Sequence, residues 1–220
     1  MKERTTTDQD RAYWEIRTRI FDGRLQPRQR ISHRGLANEL DIGQMPVRGA
    51  LTLLAAEGFV TIVDKSGTFV NEPTPGDLRE IFEVRLALET TAAYLAARNG
   101  ATSAMSAAAD QLRTFVETDC RDIMIEQKVG WVFHHELFIA TRNERLYKTY
   151  MALRDQTLAL TEIPRHDAAT VRRGTKEHID IFNAIKERDS ESARLKMWNH
   201  IVDGTPVRIN LIRNKNDSNQ

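Results

Sequence analysis

The sequence predicts a mainly α chain in two parts, a small helical unit closed by one β-hairpin and then an all-helical bundle. Three observations predict it. Apolar residues recur at the helical period through two short segments within residues 36–54. The alternating runs 59–63 (Phe-Val-Thr-Ile-Val) and 68–70 (Thr-Phe-Val) flank the turn Asp64-Lys65-Ser66-Gly67, which is a hairpin signal. Residues 77–213 then carry helical periodicity with no strand pattern and no low-complexity tract.

In the front unit, Leu36, Ala37 and Leu40 fall on one face of a short helix. After a tight turn, Pro46 opens a second helix whose apolar face is Val47, Ala50, Leu51 and Leu54. Gln44, Met45, Arg48 and Thr52 lie opposite. That is the side a recognition helix presents to the major groove of duplex DNA, with its N-terminal residues nearest the bases. Glu57-Gly58 closes the helix, and the hairpin comes next with a four-residue loop ending in Gly67. Lys65, at its tip, is placed to reach a phosphate. The outline is a winged helix-turn-helix. The plain alternative is a small helical core with an incidental hairpin, but period, proline and hairpin fall in the order the wing needs.

The chain has 220 residues, 40% hydrophobic and 29% charged, with net charge +1. That suits two modest domains with real cores and excludes a polycation. No apolar run approaches the roughly 20 residues of a membrane span, and the N-terminus has no signal core. Cys120, the single cysteine, cannot form an internal disulfide and reads as a filler or bystander. A reducing cytoplasm is the default expectation. Charge is local instead. Residues 17–48 hold Arg17, Arg19, Arg24, Arg28, Arg30, Arg34 and Arg48 against Asp22, Glu39 and Asp41. Guanidinium matches phosphate oxygens with paired donors, so an arginine-rich helix-turn-helix points to a DNA backbone rather than to a merely solvated surface. Arg34 and Arg48 are the strongest positions.

Two prolines and a glycine in Asn71-Glu72-Pro73-Thr74-Pro75-Gly76-Asp77 mark a connector, with Asp77 placed to cap the next helix. The expected organisation is a DNA-binding unit over 1–72, a linker over 73–77, a helical domain over 78–213 and a disordered tail over 214–220. Six helices are expected near 77–98, 102–118, 121–141, 143–160 (ended near Pro164), 168–187 and 190–212.

The front unit resembles the GntR family of bacterial transcription regulators. Ile20-Phe21-Asp22-Gly23, Leu36-Ala37, Pro46-Val47-Arg48, Ala50-Leu51, Glu57-Gly58 and Gly67-Thr68-Phe69-Val70 fall in step with its pattern. Gly43-Gln44-Met45 stand where the family usually has Ser-Arg-Thr, Gly49 replaces a Glu, Arg28 a turn Gly and Ser66 a wing Arg. Gly43 loses a capping hydroxyl. Gln44 favours adenine where Arg favours guanine, so the usual operator is not implied. The resemblance implies double-stranded DNA as partner, a palindromic operator read by a homodimer, and contacts from Arg28, Arg34, Gln44, Met45, Arg48, Thr52, Lys65 and Gly67.

The rest resembles the FCD effector domain of the FadR-like branch. The matching pieces are Glu83-Val84-Arg85-x-x-x-Glu89 with Ala96-Ala97, Phe133-His134-x-x-Leu137-x-x-Ala140-x-x-Asn143, Glu177-His178, Ala184-Ile185, Asp189-x-x-x-Ala193 and Met197-x-x-His200. The resemblance implies a divalent metal held by an Asp and three His. Here the His are His134, His178 and His200, and Gly130 stands at the Asp position. Neutral imidazoles suit Zn, Ni or Fe, with open positions for water or an effector carboxylate. Glu126 and Gln127 lie one or two turns earlier as weaker substitutes. The competing view makes these His polar-network residues of a metal-free pocket. The resemblance further implies that Arg85, with Glu89, Trp131 and Asn143, grips a small organic acid. A buried Arg needs an anion, and Glu89 at i,i+4 is the internal candidate.

Two other functions compete. A metal-dependent enzyme would use His134, His135, Glu136, His178 and His200, with Glu136 as base. Neither an HExxH motif nor a phosphate loop nor a nucleophile elbow supports it, and His135 points about 100° from His134 on an ideal helix. A winged helix that contacts protein or RNA is the other.

Overall fold

The computed structural model describes residues 7–72, 74–118, 122–160 and 168–217. The chain falls into two compact units, the first taking Met1–Thr74 and Asp155–Glu162 and the second Pro75–Arg154 and Ile163–Gln220.

The front unit opens with α1 (Asp8–Phe21). Its capping box is reciprocal: the Thr7 hydroxyl accepts from the Asp10 amide, and the Asp10 carboxylate accepts from the Thr7 amide. Then come β1 (Arg30–Ile31), α2 (His33–Leu40), α3 (Gln44–Ala56), β2 (Val60–Val63) and β3 (Gly67–Val70). The strands form one antiparallel sheet in the order β1-β3-β2. β1 was not expected, because two residues carry no periodicity. Val63 pairs with Gly67, so the hairpin loop is Asp64-Lys65-Ser66, one residue shorter than expected. Lys65 there sits in the left-handed region at φ 57°.

Val47, Ala50, Leu51 and Leu54 of α3 are fully buried, and Leu36 and Ala37 of α2 nearly so. They close over Ala12 and Ile16 of α1 and over Phe59, Val60 and Val70 of the wing. Leu40 is partly buried against the same core. The apolar stripes read from the sequence are therefore its walls.

The second unit is helical among the described residues. It is built from α4 (Pro75–Asn99), α5 (Ser103–Glu117), α6 (Ile123–Ala140), α7 (Glu144–Leu160, in this unit as far as Arg154), α8 (Ala168–Lys186) and α9 (Ser190–Asp217). Two boundaries differ from expectation. Pro75 begins α4, where its missing N–H and fixed φ do no harm, so Asp77 is a first-turn acid rather than the cap. The expected linker thereby loses its last three residues. At the other end α9 continues to Asp217 past Pro206, so 214–217 are helical. Cys120, Pro164 and residues 218–220 lie outside the described residues. The core joins Leu78, Phe82 and the alanines 92, 93, 96 and 97 of α4 to Phe133, Leu137 and Phe138 of α6 and to Ile181, Ile185 and Met197. Such small residues let helix axes approach closely. No helix among the described residues is long and apolar enough to cross a membrane.

Candidate functional site

The outer side of α3 carries Gln44, Met45, Arg48 and Thr52, all exposed. Gly43 is the N-cap without a side-chain hydrogen bond. The Thr52 hydroxyl donates to the Arg48 carbonyl at 3.0 Å, which leaves it only acceptor capacity. At the start of α2, His33 Nε2 lies 2.8 Å from Thr68 Oγ1 of β3. Burial, and then the charge of Arg48, hold His33 below its ordinary pKa. One histidine thus ties the wing to α2 beside the recognition helix. Where the resembling family has Glu, Gly49 leaves room for Gln9: a Cβ there would stand 2.7 Å from Gln9 Oε1.

The arginines separate into two groups. Arg19 pairs with Glu15 at 2.7 Å and Glu39 at 2.6 Å, and Arg24 pairs with Asp22 at 2.8 Å. Arg28 adopts φ 64° and pairs with Glu72. The pairing engages its charge within its own unit, while the side chain stays 81% exposed. Arg34 and Arg48 are exposed with no acidic partner among the described residues. Arg30, absent from the expected contacts, joins them: exposed on β1, its Nε would be 2.8 Å from a Cβ at Gly67. A two-residue strand gave the sequence no signal for this seat. Gly67 itself lies at φ 125°, where any side chain would be strained and would meet that guanidinium.

The second site lies inside the helical unit. Arg85 (2% exposed) and Glu89 (0%) are one turn apart on α4, with Nε to Oε1 at 2.7 Å. The other Glu89 oxygen stands 2.5 Å from His134 Nδ1 on α6. Burial pushes Glu89 up, but Arg85 and His134 together hold it well below the usual carboxylate range. Burial also lowers His134 to about 4, against the opposing pull of Glu89. His134 is therefore a neutral imidazole near pH 7.

His134, His178 on α8 and His200 on α9 bring one ring nitrogen each within 4.8 Å of one another. The two Nε2 atoms of His134 and His178 are 2.9 Å apart. His200 Nδ1 bonds Glu177 Oε2 at 2.7 Å. A carboxylate behind an imidazole fixes its tautomer and leaves the opposite nitrogen for a metal, as ligating His side chains usually require. The donor set therefore fits a divalent ion. Gly130 is buried against this group, its Cβ position 3.1 Å from His178 Cε1. An Asp there would point at the imidazoles. Glu126 does not substitute for it: its carboxylate accepts from Thr175 Oγ1 at 2.5 Å and faces Arg172 at 3.6 Å. Gln127 is half-buried and stays outside the set.

Trp131 borders the cluster, its ring 6.1 Å from His134 and 5.8 Å from the Arg85 guanidinium. Asn143 does not. It is exposed, and its side-chain oxygen accepts from the Leu146 amide at 3.1 Å, so it is a helix cap. The residues an enzyme would need diverge as well. His135 Nε2 turns to Tyr147 at 3.0 Å, and Glu136 accepts from Thr102 at 2.7 Å.

Comparison with known proteins decides the identity. Residues 80–203 match the FCD domain and residues 8–70 match the bacterial regulatory proteins of the gntR family. The chain belongs to the GntR family. It is a DNA-binding transcription regulator with an FCD domain, and not an enzyme. Its relatives include the uncharacterised HTH-type transcriptional regulator YdhC of Bacillus subtilis, 25% identical over an alignment of 198 positions that covers 86% of this chain and 85% of that one. The probable D-xylose utilization operon transcriptional repressor of Paenarthrobacter nicotinovorans is 27% identical, covering 86% and 83%. Among solved structures, E. coli McbR/YncC shares the fold at TM-score 0.66 and 18% identity, over 94% of this GntR regulator and 99% of that chain.

Proposed function

We propose that this GntR regulator is a cytoplasmic homodimeric repressor that senses a small organic acid beside a divalent metal held by His134, His178 and His200. One observation carries the reading. The Arg85 guanidinium is buried next to the imidazole group, yet its Nη1 has no hydrogen-bond partner among the described residues. An unpaired buried donor on a charged group is costly, and a ligand carboxylate would satisfy it. When bound, the metal would offer that carboxylate a Lewis-acidic partner. Arg85 orients the acid, Glu89 holds both Arg85 and His134 in place, and Glu177 fixes the His200 ring. Two winged helices read half-sites about one DNA turn apart, with Arg34 and Arg48 on phosphates and Gln44 toward a base. Acid binding shifts the population of dimers able to span both half-sites.

Elemental analysis of the purified protein, with mass spectrometry of co-purifying small molecules, tests the site. A metal bound near one per chain, lost in His178→Ala, supports it. Metal-free protein whose His178→Ala variant responds normally overturns the three-imidazole centre.

A further inference from the structure

We infer that the effector is a dianion, a dicarboxylate, with Arg154 of α7 as its second anchor. The inference rests on the acid-sensing role of Arg85 and adds the other end of the ligand. The Arg154 guanidinium lies 5.4 Å from the Trp131 ring centroid, and that of Arg85 lies 5.8 Å from the same ring. Trp131 in turn touches His134. One indole therefore joins two guanidinium groups to the imidazole cluster.

The charge around it does not close. Glu89 Oε1 accepts from Arg85 Nε, and Glu89 Oε2 lies 2.5 Å from His134 Nδ1. Arg154 has no acidic partner among the described residues, and its Nε is buried without a hydrogen bond. A contact with a ring face offers electrostatic attraction but accepts no hydrogen bond from a buried N–H. Two orphaned donors thus stand near one aromatic ring, on two different cations, and Glu89 bonds only one of those cations. Arg matches carboxylate oxygens with paired donors. A ligand with one carboxylate satisfies Arg85 and leaves Arg154 as it is, whereas a second carboxylate satisfies both.

Calorimetric titration of the full-length protein with succinate, glutarate and butyrate tests this. At least one diacid should bind about tenfold or more tighter than butyrate, the equivalent of about 1.4 kcal/mol. Arg154→Met should remove that advantage and leave butyrate binding unchanged, whereas Arg85→Met should weaken all three. Equal binding of butyrate and both diacids by the wild-type protein overturns the inference, and this comparison needs no variant to fold. Unchanged diacid affinity in Arg154→Met also overturns it. If Arg85→Met then still loses binding, acid sensing survives and only the second anchor falls. Failure of all three acids to bind removes both.

Discussion

Gly130 fixes how many negative charges the imidazole cluster can offer a metal. Its Cβ position is 3.1 Å from His178 Cε1, so a side chain fits if the ring yields by a few tenths of an ångström. Gly130→Asp should raise metal affinity by at least about tenfold, a ligand counting for more than the outer-shell partners whose loss costs that much. Zn titration with a competing chelator checks it, and unchanged affinity would mean the imidazoles do not face a common ion. His134 and Glu89 set the pH response of the metal-free protein. His134 titrates near 4 when folded and near 6.5 otherwise, so the folded state binds fewer protons between these values. Its contribution is complete above about 6.5 and is lost as pH falls toward about 4. Glu89, held below its ordinary 4.5, is destabilised by acid in the same sense. Denaturant unfolding of stripped protein should lose up to about 1.4 kcal/mol per pH unit across this window. A flat profile would contradict the buried neutral imidazole.

At the scale of elements, helices were legible where the stripe was long. Val47, Ala50, Leu51 and Leu54 declare α3, and the six later segments fall within a few residues of their expected ends, except α9. Two kinds of information escaped. The strand β1 is two residues long, and pairing with β3 rather than local propensity creates it. The pairing of charges is three-dimensional: Glu72 claims Arg28, and Asn143 spends its oxygen on a helix end. The three His and Arg85 were found because their spacing resembles a family pattern. Arg154 matches no such pattern. Arg48→Ala, on the outer face of α3, should weaken operator binding by roughly 1–3 kcal/mol if it reads a base. Arg24→Ala should change it little, since Arg24 is bound to Asp22 and Glu15. Fluorescence anisotropy at fixed salt compares the two, and equal losses would remove the assignment of α3.

At the scale of the whole molecule, the proposed regulation requires that DNA at the winged helix and acid at the helical unit each change the other's affinity. Coupling of this kind amounts to about 1–3 kcal/mol and is reciprocal. In the proposed dimer its source must be a difference in how the acid binds two states, with Arg85 as the proposed group that registers it. The most direct test is the affinity of the protein for DNA flanking its own gene, measured with and without succinate or glutarate, in wild type and Arg85→Met. The account predicts that acid weakens wild-type binding several-fold to about a hundredfold, while Arg85→Met binds the same DNA and no longer responds. Tight binding that no acid alters in the wild type, or a full response in Arg85→Met, would contradict it.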